Sequence, residues 1–166
     1  MRPTTSKVKL AIVSMLGGKL VQGSRVLDLF AGTGSVGIEL SKLGAKKVVM
    51  IEQNNRQCSE IEERVKSFNA NSFEIKRGNV FSVLPKLNSK FDIIFADPPY
   101  ESNYFHKLTE LIDKPSITTQ KTLFIYEHFK KDETPEYFGT FKKLRDKTYG
   151  DSRISIFKKG EVNSND

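Results

Sequence analysis

Five apolar runs of six residues recur at 25–30, 47–52, 72–77, 91–96 and 122–127, with stretches of helical pattern between them. This rhythm constrains the chain more than any other feature. Buried strands of this length alternating with helices build βαβ units, which place a parallel sheet between two helical layers. Residues 7–16 supply the first helix, because Val8, Ala11, Ile12, Met15 and Leu16 keep helical spacing until Gly17-Gly18 stops it. Further helices are predicted over 35–43 (ended by Gly44), 54–68, a short stretch around 81–87, and 103–112. The rhythm changes near the end, where 138–144 and 153–157 read as successive strands joined at Tyr149-Gly150-Asp151. The predicted architecture is α/β: a doubly wound, mostly parallel sheet ordered 3-2-1-4-5, helices on both faces, and a C-terminal antiparallel hairpin at its edge.

Composition narrows the setting. With 166 residues, the chain has room for one core, so 1–160 is expected to form a single domain and the polar stretch 161–166 a frayed tail. Apolar runs never approach the ~20 residues that span a bilayer, and no signal-peptide pattern follows Met1. The single Cys58 offers neither an intrachain disulfide nor a metal cluster, which points to a reducing cytoplasm. Net charge is +7, and its placement is uneven: residues 1–83 hold 13 basic and 7 acidic side chains, residues 84–166 hold 14 and 13. Arg2, Lys7, Lys9, Lys19 and Arg25 all precede the first acid, Asp28. A basic leading segment on a balanced domain suits an anionic partner, most commonly nucleic acid, or a solubilising surface.

Two motifs carry chemistry. Gly32-Thr33-Gly34-Ser35-Val36-Gly37 follows a strand and opens a helix, and Glu52 ends the next strand 20 residues beyond Gly32. Glycines let the backbone approach a ligand, a helix N-terminus favours a phosphate or carboxylate, and an acid ending the second strand can hold a ribose diol. The pattern says nucleoside-containing cofactor without choosing a nicotinamide or another. Asp97-Pro98-Pro99-Tyr100 follows the fourth strand. A specified tetrapeptide arises by chance in about one chain in a thousand of this length. In the 3-2-1-4-5 order, strands one and four are neighbours, so both motifs line one crevice. Two prolines make a rigid corner with two backbone donors removed. The Asp97 carboxylate and the Pro98 carbonyl can accept both hydrogens of an exocyclic amine, turning its lone pair outward, while Tyr100 stacks on the base. A methyl group on a sulfonium, delivered from the glycine side, would then be in line for displacement.

Residues 26–39, Val-Leu-Asp-Leu-Phe-Ala-Gly-Thr-Gly-Ser-Val-Gly-Ile-Glu, resemble the first motif of class I S-adenosylmethionine-dependent methyltransferases, and Asp97-Pro98-Pro99-Tyr100 resembles the amino-methyltransferase motif. With Arg2-Pro3-Thr4-Thr5-Ser6-Lys7-Val8-Lys9 and Tyr149-Gly150-Asp151, the resemblance narrows to the RsmD family, over roughly residues 2–158. That resemblance implies a Rossmann-like methyltransferase fold and transfer of a methyl group from S-adenosylmethionine to the 2-amino group of a guanine in 16S rRNA. It implies naked 16S rRNA or the assembling 30S subunit as partner, a monomer away from membranes, and no metal. Asp28, Gly32 and Gly34 would hold the methionine end of the cofactor, Glu52 the ribose and Asn79 the adenine, with Phe30, Gln53 and Val80 completing that set. Asp97, Pro98, Pro99 and Tyr100 would hold the target amine, and Arg2, Thr4, Lys7 and Lys9 would face RNA. The chain carries Leu10 where the family commonly has Glu, and the N-terminal hairpin usual before Arg-Pro-Thr is expected to be absent.

Three rivals stay open: an N6-adenine methyltransferase on DNA or RNA, a nicotinamide oxidoreductase, and a non-catalytic RNA-binding module that keeps the cofactor fold. His106 and His128 read as surface or satisfied structural residues, and Cys58 as a packed one. Phe68, Phe73, Phe81, Phe91 and Phe95 suit a core or the border of an adenine pocket. Lys130-Lys131 and Lys142-Lys143 read as solvated pairs.

Overall fold

A computed structural model describes residues 6–67, 69–99 and 103–160. Among the described residues, eight strands form one sheet: β1 (Arg25–Leu29), β2 (Lys47–Glu52), β3 (Phe73–Arg77), β4 (Phe91–Ala96), β5 (Thr118–Phe129), β6 (Tyr137–Phe138), β7 (Phe141–Tyr149) and β8 (Ser152–Lys159). Their spatial order is β3-β2-β1-β4-β5-β8-β7-β6. The first five are parallel in the expected 3-2-1-4-5 order, and β8 returns antiparallel to β5. The helices are α1 (Ser6–Leu16), α2 (Gly18–Val21), α3 (Ser35–Lys42), α4 (Asn55–Lys66), α5 (Val80–Val83) and α6 (Phe105–Ile112). Among the described residues, no helix is long and apolar enough to cross a membrane.

Period-two alternation sends successive strand residues to opposite faces, so the central strands must be apolar on both. Val26, Val48, Met50, Ile93, Phe95 and Ile125 pack beneath α1, α3 and α4. Leu27, Leu29, Ile51, Ile94, Phe124 and Tyr126 pack against α5 and α6. Asp28 breaks the pattern: it is a buried acid on the α3 face of β1. Gly37 lets α3 lie against that face, because a Cβ there would stand 2.6 Å from Met50 Cε and 3.1 Å from Asp28 Oδ2.

Two expectations change. Residues 138–144 are not one strand: Gly139, at φ 52°, turns the chain between β6 and β7, and Asp113 accepts from Thr140 N at 3.2 Å and Thr140 Oγ1 at 2.7 Å. Gly17, at φ 78°, stops α1 at Leu16 as expected, and the short helix α2 follows from Gly18. Lys143 is not solvated: its side chain is 8% exposed, 3.2 Å from Asp146 and 3.7 Å from Glu136. Lys142, Lys130 and Lys131 are exposed as expected. Phe73, Phe91 and Phe95 are core residues, and Phe68 lies outside the described residues.

Candidate active site

The carboxyl ends of β1, β2 and β4 meet at the crevice where the sheet's strand order reverses. From β1 the chain enters the turn 30–34, where Phe30 (φ 58°), Gly32 (φ 60°) and Gly34 (φ 76°) are all left-handed. Glycine accepts that conformation freely; Phe30 is held in it at a steric cost of about 1–2 kcal/mol. The turn is fixed from several sides. Ala31 N donates to Ile51 O at 3.1 Å, Gly34 N to Ala31 O at 2.8 Å, and Arg64 Nη1 of α4 to Thr33 O at 2.5 Å.

Glu52 joins this turn to β2. Its Oε1 accepts from Gly32 N at 2.7 Å and its Oε2 from Asn54 N at 2.9 Å, with only 4% of the residue exposed. A carboxylate has about four lone-pair sites, so each oxygen keeps one for a hydroxyl donor. Asn54 caps α4 by accepting from Gln57 N at 3.0 Å, and the buried Cys58 Sγ donates to Glu52 O at 3.2 Å. Gln53 is exposed beside the crevice. Asn79 is exposed after β3; its Oδ1 accepts from Phe81 N at 2.8 Å, capping α5, whose first residue Val80 is buried.

Asp28 lies beneath the turn. Its Oδ2 is buried without a hydrogen-bond partner among the described residues. Burial raises its pKa to about 7; the amide of Gly37 opposes the shift and the charge of Glu52 adds to it. Between the ordinary value of 3.8 and about 7, the native carboxyl keeps a proton that the unfolded chain has released. Stability therefore falls as pH rises through that window. Asp28→Asn is expected to raise Tm by roughly 5 °C or more at pH 8 and to leave it nearly unchanged at pH 4. An equal shift at both pH values in thermal scans would show that repacking, not ionisation, is responsible.

On the other side of the crevice, Ala96 of β4 pairs with Leu29 of β1, and Asp97 N lies 3.5 Å from Leu29 O. Asp97 is half-buried, Pro98 buried and Pro99 exposed. The negative charges of Asp132 and Asp97 reinforce the burial that pushes the Tyr126 phenol well above its ordinary pKa. Next to this corner, His128 is buried and occupied, its Nε2 2.9 Å from Ser155 Oγ and its Nδ1 3.1 Å from Phe129 O. Burial holds it below the usual imidazole value. It is the satisfied structural histidine expected, and His106 is exposed.

The structure thus brings Asp28, Phe30, Gly32, Gly34, Glu52, Asp97, Pro98 and Pro99 to one end of the sheet, with Asn79 and Val80 after β3. Tyr100, Arg2 and Thr4 lie outside the described residues, as does the side chain of Lys7; Lys9 is half-buried on α1. Sequence reasoning missed an aromatic wall at the mouth. Phe30 stacks on Tyr104 at 6.0 Å and 10°, Phe81 meets Tyr104 edge-on at 4.8 Å, and Lys107 Nζ sits 4.3 Å from the Phe81 ring centre. These residues are far apart in the chain, and only the doubly wound topology gathers them.

The site fits a nucleoside cofactor that carries a cationic end. Glu52 presents fixed acceptors for a diol, and the buried Asp28 carboxyl beneath the turn, once ionised, gives a negative potential that an ammonium or sulfonium would relieve.

Comparison with known proteins matches residues 1–158 to the family described as conserved hypothetical protein 95. The chain is 31% identical over 162 residues to YlbH of Bacillus subtilis, provisionally named an rRNA methyltransferase; the match covers 95% of this chain and 88% of YlbH. It is 31% identical over 146 residues to ribosomal RNA small subunit methyltransferase D of Buchnera aphidicola, covering 86% and 76%. A solved structure of a conserved hypothetical protein from Streptococcus pyogenes superposes with a TM-score of 0.84 at 28% identity, covering 93% of this chain and 96% of that one. With the glycine turn, the Glu52 clasp and the Asp97 corner all inside the matched span, the chain belongs to the conserved hypothetical protein 95 family and is a relative of ribosomal RNA methyltransferases.

Proposed function

We propose that this chain transfers a methyl group from S-adenosylmethionine to the exocyclic 2-amino group of a guanine in small-subunit rRNA. The observation that carries the reading is the adjacency of two chemistries: the Asp97-Pro98-Pro99 corner follows Ala96, whose strand partner Leu29 leads into the glycine turn. When bound, S-adenosylmethionine supplies an electrophilic methyl group on a sulfonium. Glu52 holds the ribose hydroxyls on its remaining lone pairs, and Asp28 favours the cationic end from beneath the turn. The Asp97 carboxylate and the Pro98 carbonyl accept the two hydrogens of the target amine. An aromatic amine delocalises its lone pair into the ring; holding both hydrogens on rigid acceptors favours the pyramidal, nucleophilic form. As the nitrogen takes the methyl group, the methyl carbon–sulfur bond would break to release a neutral thioether while the surplus N–H proton passes to the Asp97 carboxylate or to water. Positioning and electrostatics do most of this work. Phe30, Phe81 and Tyr104 limit water access from one side.

The substrate class rests on the names of the relatives, YlbH and methyltransferase D, together with the basic leading segment. Incubation with tritiated S-adenosylmethionine and undermethylated small-subunit particles is expected to label one guanine at N2, located by mass spectrometry of the digested rRNA. Label on adenine N6 would replace this reading with the adenine rival. Persistent absence of label, with cofactor bound, would favour a non-catalytic module. Stabilisation by NAD alone in a thermal-shift assay would overturn it altogether.

A further inference from the structure

The β7–β8 hairpin carries cations that the crevice does not use. Lys142, Lys143, Arg145 and Lys147 lie on β7 and Arg153, Lys158 and Lys159 on β8, with Asp146 as the only acid on the two strands. Asp146 is fully engaged. Arg153 Nε donates to its Oδ1, and its Oδ2 accepts from Arg153 Nη2 at 2.8 Å and Lys143 Nζ at 3.2 Å. Burial works against its charge, yet these bonds hold its carboxyl below the usual range. Arg145 and Lys147 remain exposed, with no carboxylate at ion-pair distance among the described residues.

These two cations border a groove of about 700 Å³ between α1 and β7, whose floor and walls include Ala11, Met15, Leu144 and Tyr149. Leu144 is 54% exposed, unusual for so large an apolar side chain on a strand. Tyr149 is half-buried, its hydroxyl 3.9 Å from Met15 Sδ and its ring centre 5.4 Å from Lys147 Nζ. Free cations beside an aromatic ring and an aliphatic shelf match what single-stranded nucleic acid requires: charge for phosphates and a platform for unstacked bases. A duplex, with its bases stacked away, would leave Tyr149 and Leu144 unused.

Register connects the groove to the crevice. Lys147 pairs with Ile154, which pairs with Glu127. Tyr126 pairs with Ala96, so one residue further the same row reaches Asp97. Three strand spacings separate Lys147 from Asp97, about 14 Å, a span of a few nucleotides.

We propose that the groove between α1 and β7 holds a single-stranded segment of the RNA whose target base enters the Asp97 corner. This rests on the rRNA-methylation reading above. Fluorescence anisotropy with a labelled single-stranded oligoribonucleotide and with the matching duplex tests it. The wild type is expected to prefer the single strand. Arg145→Ala/Lys147→Ala should raise Kd about tenfold and reduce the slope of log affinity against log salt by about 1.4. Tyr149→Leu should raise Kd about tenfold with the slope unchanged. Cofactor affinity, measured by calorimetry, should stay at the wild-type value in both variants, showing that they fold. Unchanged Kd and slope in the double variant, or equal affinity for polyglutamate and RNA, would overturn the groove assignment. If the wild type methylates small-subunit rRNA and the double variant binds RNA normally, the groove assignment fails alone. If the variants lose RNA binding as expected but no methyl group is transferred by the wild type, the functional reading fails alone.

Discussion

Asp97→Ala is expected to lower methyl transfer by about 10²–10³-fold or more while leaving the Kd for S-adenosylmethionine within about twofold. The split follows from position. Asp97 stands at the end of β4, whereas the cofactor contacts proposed here come from the turn after β1 and the ends of β2 and β3. Losing the carboxylate removes one of two acceptors for the amine, so the reacting nitrogen reverts toward its flat, poorly nucleophilic form. Asp97→Asn is the sharper variant, because its amide oxygen still accepts a hydrogen bond without carrying charge. If acceptance alone matters, it should retain more activity than alanine; if the negative charge matters, the two should fall together. Single-turnover kinetics read the chemical step. Wild-type turnover in Asp97→Ala would remove this corner from the mechanism.

Glu52→Ala should be the second large effect, and it should appear in two measurements. Without the carboxylate, the amides of Gly32 and Asn54 lose their acceptors; Gly32 is the buried one, and an unsatisfied buried donor costs about 1–3 kcal/mol. The unliganded protein should therefore melt several degrees lower. Loss of the diol's partner should also raise the cofactor's Kd at least tenfold, since hydrogen bonds to a charged group contribute about 1.5–3 kcal/mol. Glu52→Gln keeps one acceptor but turns an NH₂ toward a donor, so it should melt between wild type and alanine. Calorimetric titration beside thermal scans separates the roles. A lowered Tm with unchanged Kd would make Glu52 a clasp for the turn and nothing more.

Where a strand's apolar run is bounded by charge, its limits could be read directly: Lys47–Glu52 and Phe91–Ala96 match residue for residue. The first five strands' order followed from the βαβ rhythm, because right-handed crossovers leave few alternatives. β5 proved longer than 122–127 because its first residues, Thr-Thr-Gln-Lys, are polar and carry no apolar signal. Their pairing is a tertiary matter, with Thr118 opposite Phe91 across a register shift and Thr122 Oγ1 donating to Phe91 O. At the site, Gly32, Gly34, Glu52 and Asp97 were legible because each sits in a local motif. Tyr104 and Arg64 were not, since their contacts join segments that no spacing rule connects.

The position of β8 sets a timetable. Although β7 precedes it in the chain, β8 lies between β5 and β7, so the hairpin that carries the groove can join the sheet only through β8, the later of its two strands. A nascent chain that has reached Tyr149 presents an unpaired β5 edge, a template for aggregation until residues 152–159 have left the ribosome.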